Sequence, residues 1–465
     1  MKKISTIVLA AAFMFAGCQD WLDVNTNPNY LATTDYSLLL PSAELRLADK
    51  VGYDIALYGH FWSQYVNQNA STNQYYTVST FDVTNSTFNS VWSYFYDSIL
   101  PGVREVKEEA VKDPNGLEYL FQAKILEAYS FYMLTSLFDS VAYSEGYLAE
   151  SFEPHFNSGE EMQDSLISIL ESVRAMDFTA VSASADMHAS AATDMIFDHD
   201  ADAWLQFANT LYLKILMRDF DANKAKIQTL LAEDNFLIED ACFDHFSDEA
   251  DKSNPFYESD RRQLNTALNI RACSDILNVL DESDERIEYY YENSHGASAF
   301  GTPYGVTVKP AVSWRLNLEP TTPVYFSTVD EAEFLKAECY ARLNDAANAE
   351  TAYNAGLAAA FARVECDPGT LITNEYKFVA GTTESMVEQI INQKWASNIK
   401  ALAIESWFDL SRTGYPTRGT TITDFSGVLG SGKYPYRFIN SKTSADYNVN
   451  SPMAVEVYEK MWWQK

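Results

Sequence analysis

Residues 329–361, VDEAEFLKAECYARLNDAANAETAYNAGLAAAF, are the most informative segment of the chain. Apolar and small side chains recur at three- and four-residue intervals on both sides of Asn344-Asp345, a pair that favours a turn. The pattern predicts two helices, over 329–343 and 346–361, folded back as a hairpin. Outward from it, the same period runs through 117–138 (Leu120, Phe121, Leu126, Phe131, Leu134, Phe138) and through 203–220 (Trp204, Phe207, Leu211, Ile215, Met217). A further run, 386–410, reads as one long amphipathic helix. No sustained alternation of apolar and polar residues supports a large sheet, so the predicted fold class is all-α.

Within the hairpin, Ala337, Tyr340, Ala349, Tyr353 and Gly356 are spaced 3, 9, 4 and 3 residues apart. This matches the knob-and-gap spacing of a tetratricopeptide repeat, in which small residues let paired helices approach. The match is incomplete. Glu333 and Lys336 occupy positions that the repeat fills with large apolar groups, Phe361 replaces its terminal proline, and no exact 34-residue period runs through the chain. The expected architecture is therefore a scaffold of tetratricopeptide-like helix pairs carrying long irregular loops. Two such loops, 67–85 and 294–323, combine amide, hydroxyl and glycine residues with isolated aromatics, and the last fifty residues are loop-like up to Pro452. Long loops on a rigid scaffold are where binding usually sits.

The chain has 65 acidic against 33 basic residues, a formal charge of −32, which argues against a nucleic-acid binder that must displace counterions with a cationic surface. The same field would repel an anionic lipid face or a strongly acidic polysaccharide unless basic groups cluster locally. An apolar content of 47% excludes wholesale disorder.

Lys2 and Lys3, followed by the apolar run from Ile7 to Ala16, read as a secretory leader over residues 1–17. It is too short to span a bilayer as a helix. Phe15-Ala16-Gly17-Cys18 resembles a bacterial lipoprotein box, with Phe at the usual Leu position, so Cys18 is the expected lipidation site and 18–465 a single mature domain. Stable attachment then needs more than one acyl chain. Cys242, Cys273, Cys339 and Cys366 are spaced too widely for a compact zinc signature and read as small buried residues; export would permit disulfides without requiring them.

These residues resemble a family. Trp21-Leu22-Asp23-Val24-Asn25-Thr26-Asn27-Pro28-Asn29, the Trp204–Leu211 run with Met217-Arg218, and Asn254-Pro255-Phe256-Tyr257 are similar to segments of the SusD/RagB-type nutrient-binding lipoproteins of Bacteroidetes, in their second SusD-like branch. So are Glu331–Glu338, Gln393-Lys394-Trp395, Asp409–Pro416, Tyr434–Phe438 and Trp462-Trp463, all in the family's order. The resemblance implies a non-catalytic, cofactor-free lipoprotein of the outer membrane. It would bind oligosaccharide or another nutrient and act as a lid on a SusC-like TonB-dependent transporter. It also implies that the tetratricopeptide face docks the transporter while the loop face grips ligand.

The residues themselves suggest how a sugar would be held. Pyranose C–H faces stack on aromatic planes, and amides, carboxylates and guanidinium groups meet the hydroxyls. Candidates in the polar loops are Trp62, Tyr75, Tyr76, Tyr304 and Trp314, with Asn73, Gln74 and Arg315 beside them; at each position, packing onto the scaffold is the competing assignment. Trp92, Tyr96, Trp395 and Trp407 are assigned to the core. The segment 427–433 imitates a phosphate-binding loop but is followed by Tyr434 instead of Ser or Thr. Asp198-His199-Asp200-Ala201-Asp202 lacks the glycine and glutamate of a calcium loop and is expected to cap the following helix. No His-x-x-x-His pair or Gly-x-Ser-x-Gly elbow is present, and no metal or nucleophilic site is expected. The competing functions are an exported all-α glycoside hydrolase, whose carboxylate pair would leave no local signature, and a peptide or other nutrient binder of the same architecture.

Overall fold

The computed structural model describes residues 35–69, 71–148, 151–265, 269–293, 300–305, 313–418, 429 and 433–464. Cys18, the 21–29 segment and most of 427–433 lie outside them.

The chain folds around the helix Leu117–Phe138, which is buried on nearly every face. A helix apolar all round must sit in the interior, and this one is packed by Leu100–Ala110, Gly159–Arg174, Phe178–His188 and Ala201–Leu216. Local chemistry sets where its neighbours begin. Ser158 and Glu161 close a capping box at the start of Gly159–Arg174. The Asp200 carboxylate accepts the Ala203 N–H at 2.9 Å, which is the capping role expected of that acidic run.

The hairpin forms as its spacing predicts, from Val329–Arg342 and Ala346–Arg363, with Asn344 at φ +61° in the turn. Thr328 and Asp345 cap its two helices by accepting the Glu331 and Asn348 N–H groups. Gly356 is where the pair closes, since a β-carbon there would stand 3.0 Å from the Phe334 ring. Thr383–Ser397 then packs on the hairpin as a third helix.

The predicted single helix over 386–410 is instead two, Thr383–Ser397 and Ala403–Thr413. Between them Lys400 adopts φ +62°, and Asn398 turns its Nδ2 to the Ser406 Oγ at 2.9 Å. The burial pattern continues through the break, so hydrophobic period alone did not reveal it.

A buried ionic network joins four helices. Lys214 on Ala201–Leu216 reaches Glu331 at 2.8 Å and Glu405 at 3.3 Å. Lys394 reaches Asp409 at 2.8 Å, and Arg412 grips Glu338 at 2.6 Å while also meeting Asp409 at 2.7 Å. Burial works against ionised Glu338, but Arg412 and Arg342 hold its carboxyl far below the usual carboxylate range.

Among the described residues the mostly helical scaffold carries two small sheets. Strands β1 (Val66–Gln68), β3 (Ile270–Ala272), β4 (Tyr291–Glu292) and β5 (Arg315–Leu316) pair antiparallel in the order β1-β3-β5-β4. Strands β2 (Ala241–Phe243) and β6 (Val324–Ser327) form a separate pair. At two to four residues each, they are too short for alternation to register in the sequence.

Candidate ligand-binding site

The four-stranded sheet gathers the two polar loops. Directly opposed residues in an antiparallel ladder share a face, so the register Asn67↔Arg271↔Arg315↔Glu292 lays four polar side chains in a row across it. The Arg315 Nε meets the Glu292 carboxylate at 2.7 Å. Asn67 is buried and ties down the second loop: its Nδ2 donates to the Pro303 carbonyl at 3.2 Å, and its Oδ1 accepts the Gly305 N–H at 3.0 Å.

The turn leaving β1 is held by Gln68, whose Nε2 donates to the Thr72 Oγ1 at 2.6 Å while its Oε1 accepts the Tyr75 N–H at 2.9 Å. This fixed turn presents Asn73, Gln74 and Tyr76 outward, with Tyr76 54% exposed. Two strands away, Trp314 is half-buried at the start of β5, edged by Phe300 at 5.4 Å between ring centres. Strand spacing puts β1 and β5 about 10 Å apart with β3 between them.

The structure therefore divides the candidates. Asn73, Gln74 and Tyr76 are exposed on the turn that leaves β1, Arg315 belongs to the polar row, and Trp314, its neighbour in the chain, is half-buried against Phe300 on the alternate side of the strand. Trp62, Tyr75 and Tyr304 do not present an open ring. Trp62 is 3% exposed, donates its Nε1–H to the Val78 carbonyl at 3.1 Å and packs on Trp407 at 4.9 Å and Phe438 at 5.5 Å. Tyr75 is buried with its hydroxyl on the Asp260 carboxylate at 2.9 Å, and Tyr304 is buried beside Phe81. These three rings pack the loops onto the scaffold. Trp92, Trp395 and Trp407 are core residues as expected, and Tyr96 packs half-buried and tilted against Trp92 at 4.7 Å between ring centres.

A second concavity, of about 550 Å³, opens beside the helix Tyr36–Lys50. Tyr53, Phe243, Phe246 and Met195 supply its apolar wall, with Asp49, Lys252, Glu258 and Gln263 among its polar groups. Its size suits a small ligand, and its contributors come from separate chain segments that no local motif connects.

Residues 28–440 match the model of the family SusD-like_2, described as "Starch-binding associating with outer membrane". The chain belongs to this SusD-like family. Solved structures carry the same fold. A SusD homolog from Bacteroides uniformis superposes with a TM-score of 0.72 at 21% identity, covering 93% of this chain and 100% of that one. A SusD/RagB family protein from Bacteroides thetaiotaomicron gives 0.73 at 18% identity, over 93% and 99%. A chitin-binding SusD homolog from Flavobacterium johnsoniae gives 0.70 at 18% identity, over 92% and 97%. No curated protein is similar enough to match.

Sequence reading found Arg315 of this SusD-like sheet but missed Arg271 and the nearby Arg261. Arg271 is the centre of β3, and Arg261 pairs with Asp260 and donates to the Leu316 carbonyl at 2.9 Å. A lone arginine between Ile270 and Ala272 was the available signal.

The trio Glu118, Asp194 and His199 offers ligand atoms close enough for a metal ion, yet those atoms already have partners. Asp194 accepts the Gln122 amide, the Trp204 indole N–H at 2.7 Å and the Phe197 and His199 backbone N–H groups. Glu118 contacts the His199 Nδ1 at 2.5 Å and the His188 Nδ1 at 3.0 Å. Burial opposes a charged His199, but Glu118 outweighs it and raises the imidazole pKa. The trio is a structural ion bridge.

The four cysteines among the described residues are free; Cys273 and Cys339 are buried, and Cys242 and Cys366 are half-buried.

Proposed function

We propose that this SusD-like protein is a lipid-anchored, cell-surface glycan-binding protein that acts as a lid on a SusC-like TonB-dependent outer-membrane transporter. Cys18 carries the anchor, and Asn73, Gln74, Tyr76, Trp314 and Arg315, from the loops and strands around this sheet, hold the sugar. The reading rests chiefly on one observation: the family match spans residues 28–440, most of the chain. The family's description and the chitin-binding neighbour from Flavobacterium johnsoniae favour a carbohydrate over a peptide. Binding without catalysis is the better reading, since the buried acids Glu118, Glu331 and Glu405 are held in ion bridges and Asp194 is taken up by hydrogen bonds from Gln122, Trp204 and backbone N–H groups.

The test has two readouts. Purified protein incubated with glycans is expected to retain one class with no released products; steady hydrolysis would replace the binder with the glycoside hydrolase. Mild extraction of the lipidated protein from native outer membranes is expected to bring down a large β-barrel in equal amount. Repeated recovery of the lipoprotein alone would remove the transporter from the proposal.

A further inference from the structure

Arg271 is 1% exposed, yet its Nε and Nη2 have no hydrogen-bond partner; its one polar contact is Nη1 to the Ser313 carbonyl at 3.1 Å. The Ser313 hydroxyl beside it is buried and equally unpartnered. Several other internal cations are matched by carboxylates: Arg286 pairs with Asp284 at 2.7 Å, Arg363 with Asp330 at 3.0 Å, and Lys394 with Asp409 at 2.8 Å. Arg271 has cations as neighbours instead. The sheet register sets Arg315 opposite it, and Arg261 is near enough to act on its charge. Burial first, then Arg315 and Arg261, depress its pKa. A buried guanidinium with two idle donors is costly unless something negative completes it. Arg315 is answered by Glu292 and Arg261 by Asp260, so Arg271 is the cation of this group left without a carboxylate, and in a chain of charge −32 such a local positive site is what an acidic ligand would require.

We propose that Arg271, with Ser313 and flanked by Arg315 and Arg261, forms a subsite for an oxyanion borne on the ligand, so that the glycan taken is acidic: a uronic acid or a sulfated sugar. The idle Nε and Nη2 are the side-by-side donors with which a guanidinium holds a carboxylate or sulfate through two parallel bonds. Ser313 donates the third bond. This inference rests on the sheet face being the glycan site, and the test keeps the two apart.

The experiment compares oligogalacturonate with its carboxyl-reduced, neutral counterpart by calorimetry, on the wild type, Arg271→Gln and Arg271→Met. In parallel, sodium sulfate and sodium glucuronate are titrated against thermal stability at constant ionic strength. The wild type is expected to prefer the acidic oligosaccharide by about 10- to 100-fold, the worth of one or two charge-assisted hydrogen bonds. Arg271→Gln is expected to bind both forms alike. Arg271→Met is expected to melt higher than the wild type without ligand, because it removes an unpaired buried charge, and to lose the anion-dependent rise. Equal binding of both oligosaccharides with no sulfate or glucuronate effect would overturn the anion subsite and leave glycan binding standing. An Arg271-dependent anion effect with no binding of either oligosaccharide would support the subsite and remove the glycan reading. Should a variant fold poorly, the wild-type preference between the two oligosaccharides decides alone.

Discussion

At the scale of single residues, the same side-chain type does opposite work depending on what encloses it. Trp62 and Trp314 are both tryptophans in loop-rich sequence, and the letters around them do not separate them. In the structure Trp62 is enclosed by Tyr58, Phe88, Trp407 and Phe438, whereas Trp314 sits half-buried just before β5, with Phe300 beside it. Trp62→Ala is expected to cost about 3–5 kcal/mol of stability by leaving a large cavity. Trp314→Ala should change the melting temperature little and weaken glycan retention several-fold; chemical denaturation and calorimetry on both variants check the contrast, and the reverse pattern would refute it. His60 is a second residue whose role follows from its surroundings. Its Nδ1–H donates to the Ala56 carbonyl at 2.7 Å, the Lys400 N–H points at its Nε2, and burial lowers its pKa from 6.5 to about 4, with Lys400 adding to the effect. A histidine depressed in the folded state stabilises fully above pH 6.5, and that stability drains away as the pH falls towards 4. The shift corresponds to about 3 kcal/mol. Urea midpoints between pH 7 and pH 4.5 should fall more steeply in the wild type than in His60→Gln; parallel slopes would dismiss the assignment.

Elements were legible where one period ran long enough to outvote local noise. Leu117–Phe138 begins and ends where its apolar pattern does, and the hairpin around Asn344-Asp345 was readable because turn chemistry and small-residue spacing agree. The break between Ser397 and Ala403 was invisible for the opposite reason: residues on both sides and within it are buried, so periodicity persists while the backbone turns. The four-stranded sheet was equally hidden, since its register depends on contacts between segments more than two hundred residues apart, such as Val66↔Ala272. That is also why part of the ligand site was found and part was not. Tyr76, Trp314 and Arg315 stand in loops whose composition is unusual, while Arg271 becomes interesting only once β3 lies between β1 and β5. The break has a mechanical counterpart at Gly59. A β-carbon there would stand 2.5 Å from the Ile404 N and 2.7 Å from the Ala403 carbonyl carbon, both backbone atoms at the start of the second helix. Backbone cannot swing aside as a flexible side chain does, so Gly59→Ala should force the helices Ala56–Trp62 and Ala403–Thr413 apart. A loss of about 2–4 kcal/mol, larger than the usual overpacking cost because the clash is with main chain, is expected in denaturation. Stability within about 0.5 kcal/mol of wild type would show that the two helices slide freely.

At the scale of the whole molecule, the charge of −32 and the internal ion network act in opposite directions on stability, and salt separates them. The excess of acids over bases, 65 against 33, means that about half the carboxylates have no cation to pair with. Their mutual repulsion acts over solvent-exposed distances, where mobile ions screen it. Pairs such as Lys112–Glu109, Lys252–Glu249 and Lys226–Glu171 are also exposed and would weaken in salt, but each contributes little. Lys394–Asp409 and Arg412–Glu338 are buried, so salt scarcely reaches them. Screening the surplus should therefore win. Raising sodium chloride from about 20 mM to about 500 mM shortens the Debye length from roughly 20 Å to roughly 4 Å, and the melting temperature is expected to rise by a few degrees. Chloride is the right anion for this measurement, because sulfate would add whatever it gains at Arg271 to the screening effect. A melting temperature that falls with chloride would mean that the surface pairs outweigh the unpaired acids. In that case the acidity of this surface would be organised as paired networks, and a negatively charged ligand would meet less repulsion on its way to the arginine cluster than the net charge implies.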